Sequence, residues 1–182
     1  KGSLAFPRGD FKGCLAAHSA ARDLAKRAAE PELEARALSG LGDAYYAQGR
    51  MFRAYEVIED CLALCEMHHL TAVEAANRFM RGTLRIYMNQ TEPALDDALK
   101  SAALARSIGQ LRPEIISRLT AGWVFQSMDR GGEARAQIEL GLEATEHLGA
   151  KRFEPFLQET LVRVALAEGD QEGAFLLSTR ML

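Results

Sequence analysis

Residues 38–50 read Leu38-Ser39-Gly40-Leu41-Gly42-Asp43-Ala44-Tyr45-Tyr46-Ala47-Gln48-Gly49-Arg50, and they decide the fold. Leu38, Leu41 and Tyr45 are spaced by three and four, which sets them on one face of a helix. Gly49 closes the stretch with a residue that tolerates the left-handed conformation at a helix end. The same punctuation runs through the chain: Gly9, Gly49, Asn89, Asp129 and Gly169 stand 40 residues apart. Five residues after each comes a small side chain, Cys14, Ala54, Ala94, Ala134 or Ala174. Seven residues before each come Gly2, Gly42, Gly82, Gly122 and then Val162. A small residue one and a half turns into a helix lets a second helix cross it closely. The unit is therefore a helix, a tight turn and a second helix, and such units bury their apolar faces by stacking. The expectation is an all-α, right-handed superhelical solenoid of about five helix pairs, one domain over residues 1–182.

Composition fits that architecture. Hydrophobic residues make up 48% of the 182, enough for a continuous core, and charged residues 26%. The net charge of −3 comes from mixed signs and leaves no electrostatic footprint for nucleic acid or an anionic membrane. No apolar run approaches the roughly 18 residues of a membrane helix. Three cysteines are too few, and odd in number, for a disulfide framework. The expected setting is a reducing cytoplasm.

Helices are expected at about 11–29, 31–48, 51–69, 72–88, 91–108, 112–128 and 131–148, with a fifth pair from near Lys151. Residues 1–8 read as the end of an earlier helix. Pro31 suits a first turn, and Thr91-Glu92-Pro93 reads as an N-cap followed by an acidic first turn. Both ends read as cut, because Lys1 is no start methionine and Leu176, Leu177, Met181 and Leu182 make an apolar tail where a solenoid would carry a polar cap. The expectation is a piece of a larger multidomain protein.

The stretch 38–50, with Ala54 and Ile58 beyond it, resembles a tetratricopeptide repeat. Leu38, Leu41, Gly42, Tyr45, Ala54 and Ile58 occupy that family's apolar, Leu-Gly, Tyr, Ala and aliphatic places in order. Gly82 with Ala94, and Gly122 with Phe125 and Ala134, keep the pattern, while Arg85 stands where the Tyr belongs. The family's common unit is shorter than this one. The long unit resembles the helical tails of large bacterial regulators, among them ATP-dependent transcription activators and cyclase-plus-ATPase signalling proteins. LSGLGDAYYAQGR and ANRFMRGTLRIYMNQTEPALDDAL are similar to the cyclase-type tails. The resemblance implies a superhelix that binds protein or peptide.

Three constellations could carry function. Projecting the repeat onto the concave side places Arg36, Ser39, Asp43 and Tyr46 inward, then Phe79, Thr83, Ile86 and Tyr87, then Leu119, Trp123 and Gln126, then Arg163. Aromatics and arginine are frequent binding anchors, although the same rings could pack between helices. Arg78, Arg81 and Arg85 share a face and replace the apolar Leu38, Leu41 and Tyr45 of the preceding repeat. They read either as an internal ion-pair network or as a site for a carboxylate or phosphate. Cys61, Cys65, His68 and His69 lie on one helix at spacings that could hold zinc. Cys61 and Cys65 also continue the apolar face of Val57 and Ile58, where thiols pack as small hydrophobes. The expectation is therefore no metal and no cofactor.

No phosphate loop, dinucleotide fingerprint or nucleophile elbow occurs, so no catalytic residue is assigned. The function expected is a non-catalytic scaffold that binds a peptide or a neighbouring domain, including domains of its own parent chain. The alternative is a helical-repeat sensor for a small ligand.

Overall fold

In the computed structural model, residues 2–179 are described. They form ten α-helices: α1 (Gly2–Ala5), α2 (Phe11–Arg27), α3 (Pro31–Ala47), α4 (Met51–His68), α5 (Thr71–Tyr87), α6 (Thr91–Ser107), α7 (Leu111–Ser127), α8 (Gly131–Leu148), α9 (Glu154–Ala167) and α10 (Gln171–Thr179). Short 3-10 turns at Phe6–Arg8 and Lys151–Phe153 follow α1 and precede α9. Met181 and Leu182, assigned above to the apolar tail, lie outside the described residues. The helices pack as sequential antiparallel pairs, the arrangement of a TPR-like solenoid of about five pairs.

The turns explain the regularity. Gly9, Ala29, Gly49, His69, Asn89, Gly109, Asp129, Gly149 and Gly169 all have positive φ, between 54° and 79°. They recur every 20 residues, so each half-unit closes in the same way. After each one, an amide reaches back to the carbonyl five residues earlier, as in Arg50 N to Tyr45 O at 2.9 Å and Gln90 N to Arg85 O at 2.9 Å. This is the Schellman closure, and it satisfies carbonyls that the helix end would otherwise strand. In two repeats the residue after the turn folds back as well: Arg50 lies over the Tyr45 ring and Arg130 over Phe125.

Helix starts are less uniform. Asp10 and Asp170 cap α2 and α10, accepting from the amides of Gly13 and Gly173 at 2.9 and 2.8 Å. Thr91, expected as a cap, is instead the first residue of α6, and Gln90 holds the cap position with no side-chain bond. The turn takes three residues, so the cap falls one residue after the left-handed position. The fifth pair starts late because a 3-10 turn precedes Glu154 and Pro155 stands in the first turn of α9.

The periodic small residues mark the helix crossings. Cys14, Ala54, Ala94, Ala134 and Ala174 are all buried. A Cβ on Gly82 would stand 2.9 Å from the carbonyl oxygen of Ala94, and one on Gly42 or Gly122 would meet Ile58 or Ile138 at 2.5 Å. The first helices α3, α5, α7 and α9 touch not only their partners but also one another. They form the inner wall, and the second helices lie outside it. Among the described residues no helix is long and apolar enough to cross a membrane.

Candidate functional site

The inner wall carries a cleft of about 390 Å³ where three first helices meet. From α3 it is lined by Ser39, Asp43 and Tyr46, from α5 by Ala76, Phe79 and Met80, and from α7 by Arg112, Pro113 and Ile116. Phe6, before α2, closes one end. Side chains spaced by three and four on helices present a common face, so stacking three such faces is what builds the cleft. A larger opening of about 720 Å³ lies beside it and includes Ser39, Arg36, His18, Asn77 and Gln110.

Asp43 gives the cleft its chemistry. It is half-buried, and the burial it has pushes its carboxyl up to about 6, against a smaller opposing pull from Arg112. Arg112 is exposed at the same cleft. The two line one cavity, an acid and a base separated by space rather than paired. Tyr46 stands one turn from Asp43. Its hydroxyl lies 3.5 Å from that of Tyr87, with ring centroids 6.2 Å apart. Burial, together with the hydrogen bond to Tyr87, raises the Tyr46 phenol to about 12. The Tyr46 phenol therefore stays neutral at physiological pH.

The other expected inward residues fall as follows. Tyr87 is 60% exposed and Trp123 39% exposed. The Trp123 indole N–H donates to Thr160 Oγ1 at 2.9 Å, which fixes the ring against α9 while leaving part of it open. Thr83 is half-buried, and its hydroxyl is spent on the carbonyl of Phe79. Gln126 is half-buried. Arg36 and Arg163 are both exposed and paired within their own helices, to Glu32 and Glu159 at 2.8 and 2.7 Å. Leu119 was expected inward but packs in the core with Ile115, Ile138 and Leu157. On α7 it lies between the concave stripe and the face toward α8, and its apolar branches go to the interior.

Arg78, Arg81 and Arg85 converge on the fully buried carboxylate of Asp97. Arg81 binds it through two nitrogens, at 2.8 and 2.6 Å, and reaches Glu59 with a third at 2.8 Å. Arg85 donates to Asp97 at 2.7 Å, and Arg78 pairs with Glu74. Burial disfavours the Arg81 charge, but the bonds to Asp97 and Glu59 outweigh it and hold the guanidinium above its ordinary value. Three cations thus face three carboxylates, so the local charge is balanced from within. The stretch that replaces the Leu and Tyr positions of the preceding repeat is filled by a polar network in place of an apolar contact.

Cys61 and Cys65 are fully buried in a cluster with Ala35, Leu38, Leu41 and Val57. The Cys61 thiol donates to the Ala35 carbonyl at 3.3 Å. Its hydrogen bond with Cys65 and its burial hold it well above the usual thiol range. His69 is the left-handed residue that ends α4. No three His, Cys, Asp or Glu side chains come together for a metal among the described residues.

Arg112, Pro113, Ile116, Ala76 and Met80 belong to the cleft and are absent from the expected set. Ala76 and Ile116 are the repeat counterparts of Arg36, so the 40-residue register contained a signal for them.

No family model matches this chain, and no curated protein does. The fold is shared with solved structures at low identity. BtubC (BKLC) from P. vanneervenii superposes with a TM-score of 0.83 at 19% identity, over 99% of this chain and 75% of that one. The apo form of RapI matches with a TM-score of 0.79 at 16% identity, over 99% of this chain and 50% of that one. The nearly identical TPR-like repeats assigned to a kinesin light chain of Podosopora anserina match with a TM-score of 0.75 at 14% identity, over 99% and 89%. The chain thus has a TPR-like repeat fold.

Proposed function

We propose that this chain is a non-catalytic interaction module that binds a peptide or a neighbouring domain in the cleft between α3, α5 and α7. The observation that carries the reading is the composition of that cleft. Aromatic and aliphatic walls from Tyr46, Phe79, Met80 and Ile116 surround an acid and a base that are not paired with each other. Apolar area supplies affinity, and a few placed polar groups supply orientation. The exposed faces of Tyr87 and Trp123 extend the same wall toward α9, as an extended partner requires. The similarity of residues 38–50 and 76–99 to bacterial cyclase-type tails supports a regulatory role inside a signalling or transcription protein. In that role the partner is another domain of the parent chain, in the cytoplasm. The fold's usual employment in binding supports the absence of catalysis.

A small-ligand sensor is the second reading, because about 390 Å³ lies within the range that small molecules occupy. The test is selection from a random library of short displayed peptides, read on the wild-type chain and on variants. Tyr46→Ala and Phe79→Ala should abolish recovery of the selected peptides, while Met67→Ala on the outer helix α4 should not. Selected peptides that bind all three variants equally would overturn the reading.

A further inference from the structure

The cleft is chemically biased toward one kind of anchor. Asp43 projects from near the C-terminal end of α3 into a space walled by Tyr46, Phe79, Met80 and Ile116. A carboxylate set among apolar groups loses its hydration and gains only what its neighbours return. What Arg112 returns is partial, because Asp43 stays well above the usual carboxylate range. Among the other titratable groups near Asp43 there is no further cation. The thiols of Cys14 on α2, raised mainly by burial, and Cys61 on α4, raised mainly by Cys65 and burial, are pushed up a little further by its charge. The Tyr46 phenol is committed to Tyr87. From α5 come only Ala76, Phe79 and Met80. Asp43 is thus a half-buried acid without an ion-pair partner, beside aromatic rings whose faces attract cations.

We infer that the cleft is a pocket for a basic side chain, a lysine or arginine of the bound peptide, whose charge meets Asp43 while its aliphatic stem lies between Tyr46 and Phe79. This rests on the reading of the cleft as a peptide site and specifies its partner. A long cationic side chain suits both parts of the cleft: its stem buries against apolar walls and its head finds the acid. Exposed at the same cleft, Arg112 repels a second basic residue and favours an acidic neighbour in the peptide. The net charge of −3 works in the same direction for a basic partner.

The same displayed library tests the inference separately from the site. Peptides recovered on the wild-type chain should share a Lys or Arg at one fixed position. Replacing that residue by norleucine in a synthetic copy, or Asp43 by Asn in the protein, should weaken binding about tenfold or more. The two changes together should cost little beyond either alone. Wild-type affinity should hold above pH about 6 and fall below it as Asp43 protonates, whereas Asp43→Asn should show no such fall. Folding of the variant is checked by its circular dichroism and melting. Peptides that need Tyr46 and Phe79 but share no basic position, or bind Asp43→Asn equally well, overturn the inference and leave the site standing. Peptides indifferent to Tyr46→Ala and Phe79→Ala overturn the site as well.

Discussion

Asp43→Asn should stabilise the free protein, and by an amount that depends on pH in a defined way. An acid whose folded-state value is about 6, against 3.8 for the unperturbed group, is held in an environment that disfavours its charge. Above pH about 6 the wild type bears the whole penalty of the ionised group. As pH falls from about 6 towards 4 the folded state takes up the proton before the unfolded state does, so wild-type stability rises. Below about 4 both states are protonated and the penalty is gone. At roughly 1.4 kcal/mol for each tenfold step, the full penalty is at most about 3 kcal/mol. Partial access to water lowers that to about 1–2 kcal/mol. Asparagine keeps the shape and never ionises. At pH about 8 the variant should therefore melt roughly 2–8 °C above the wild type. The gap should shrink through pH 6 and vanish near pH 4. Paired melts across that range, followed by circular dichroism, check the prediction. A gap that is constant with pH, or a variant that melts lower at pH 8, would refute the burial argument for Asp43.

The crossings and the polar network give further outcomes. Ala94→Leu adds bulk where Ala94 is fully buried and its carbonyl already lies 2.9 Å from the Cβ that Gly82 lacks, and it should destabilise by about 1–3 kcal/mol in urea unfolding. Asp97→Asn leaves three arginines without the charge they share and should cost about 3 kcal/mol in the same assay. A change under about 0.5 kcal/mol would show that the network adds nothing. Ala29 has φ 55°, where a side chain is strained, so Ala29→Gly should stabilise by about 0.5–1 kcal/mol, and a loss of stability would contradict the turn geometry. The Trp123 ring, 39% exposed, should be partly quenched by iodide in the free protein. Full shielding would place it in the core.

The architecture was legible because each repeat states it twice, in a turn residue and in a small residue at the crossing. Gly49, Asn89 and Asp129 are residue types that favour left-handed backbone, and the period of 40 follows from them. Ala29 and His69 take the same conformation without such a preference. The closing hydrogen bonds impose it there, so the underlying period of 20 shows in the sequence only at Gly109 and Gly149. Of the stripe expected to face inward, Asp43, Tyr46 and Phe79 line the cleft. Arg112 and Pro113 line the same cleft from the start of α7 and were outside that stripe. Their place depends on how far α7 is displaced against α5, a packing quantity that no single helix encodes. Leu119 shows the opposite error, since a residue midway between two faces goes to the apolar one. The choice between an ion-pair network and an anion site at Arg78, Arg81 and Arg85 turned on Asp97, which lies on the following helix. Only the crossing of α5 and α6 brings all three arginines onto it.

The central claim is that partners occupy the cleft between α3, α5 and α7. The most direct measurement is a backbone amide NMR titration with a peptide recovered from the displayed library. The account predicts that the largest chemical-shift changes fall at Ser39, Asp43, Tyr46, Phe79, Arg112 and Ile116. Changes centred on the outer helices α4, α6 and α8, with these six unmoved, would contradict it.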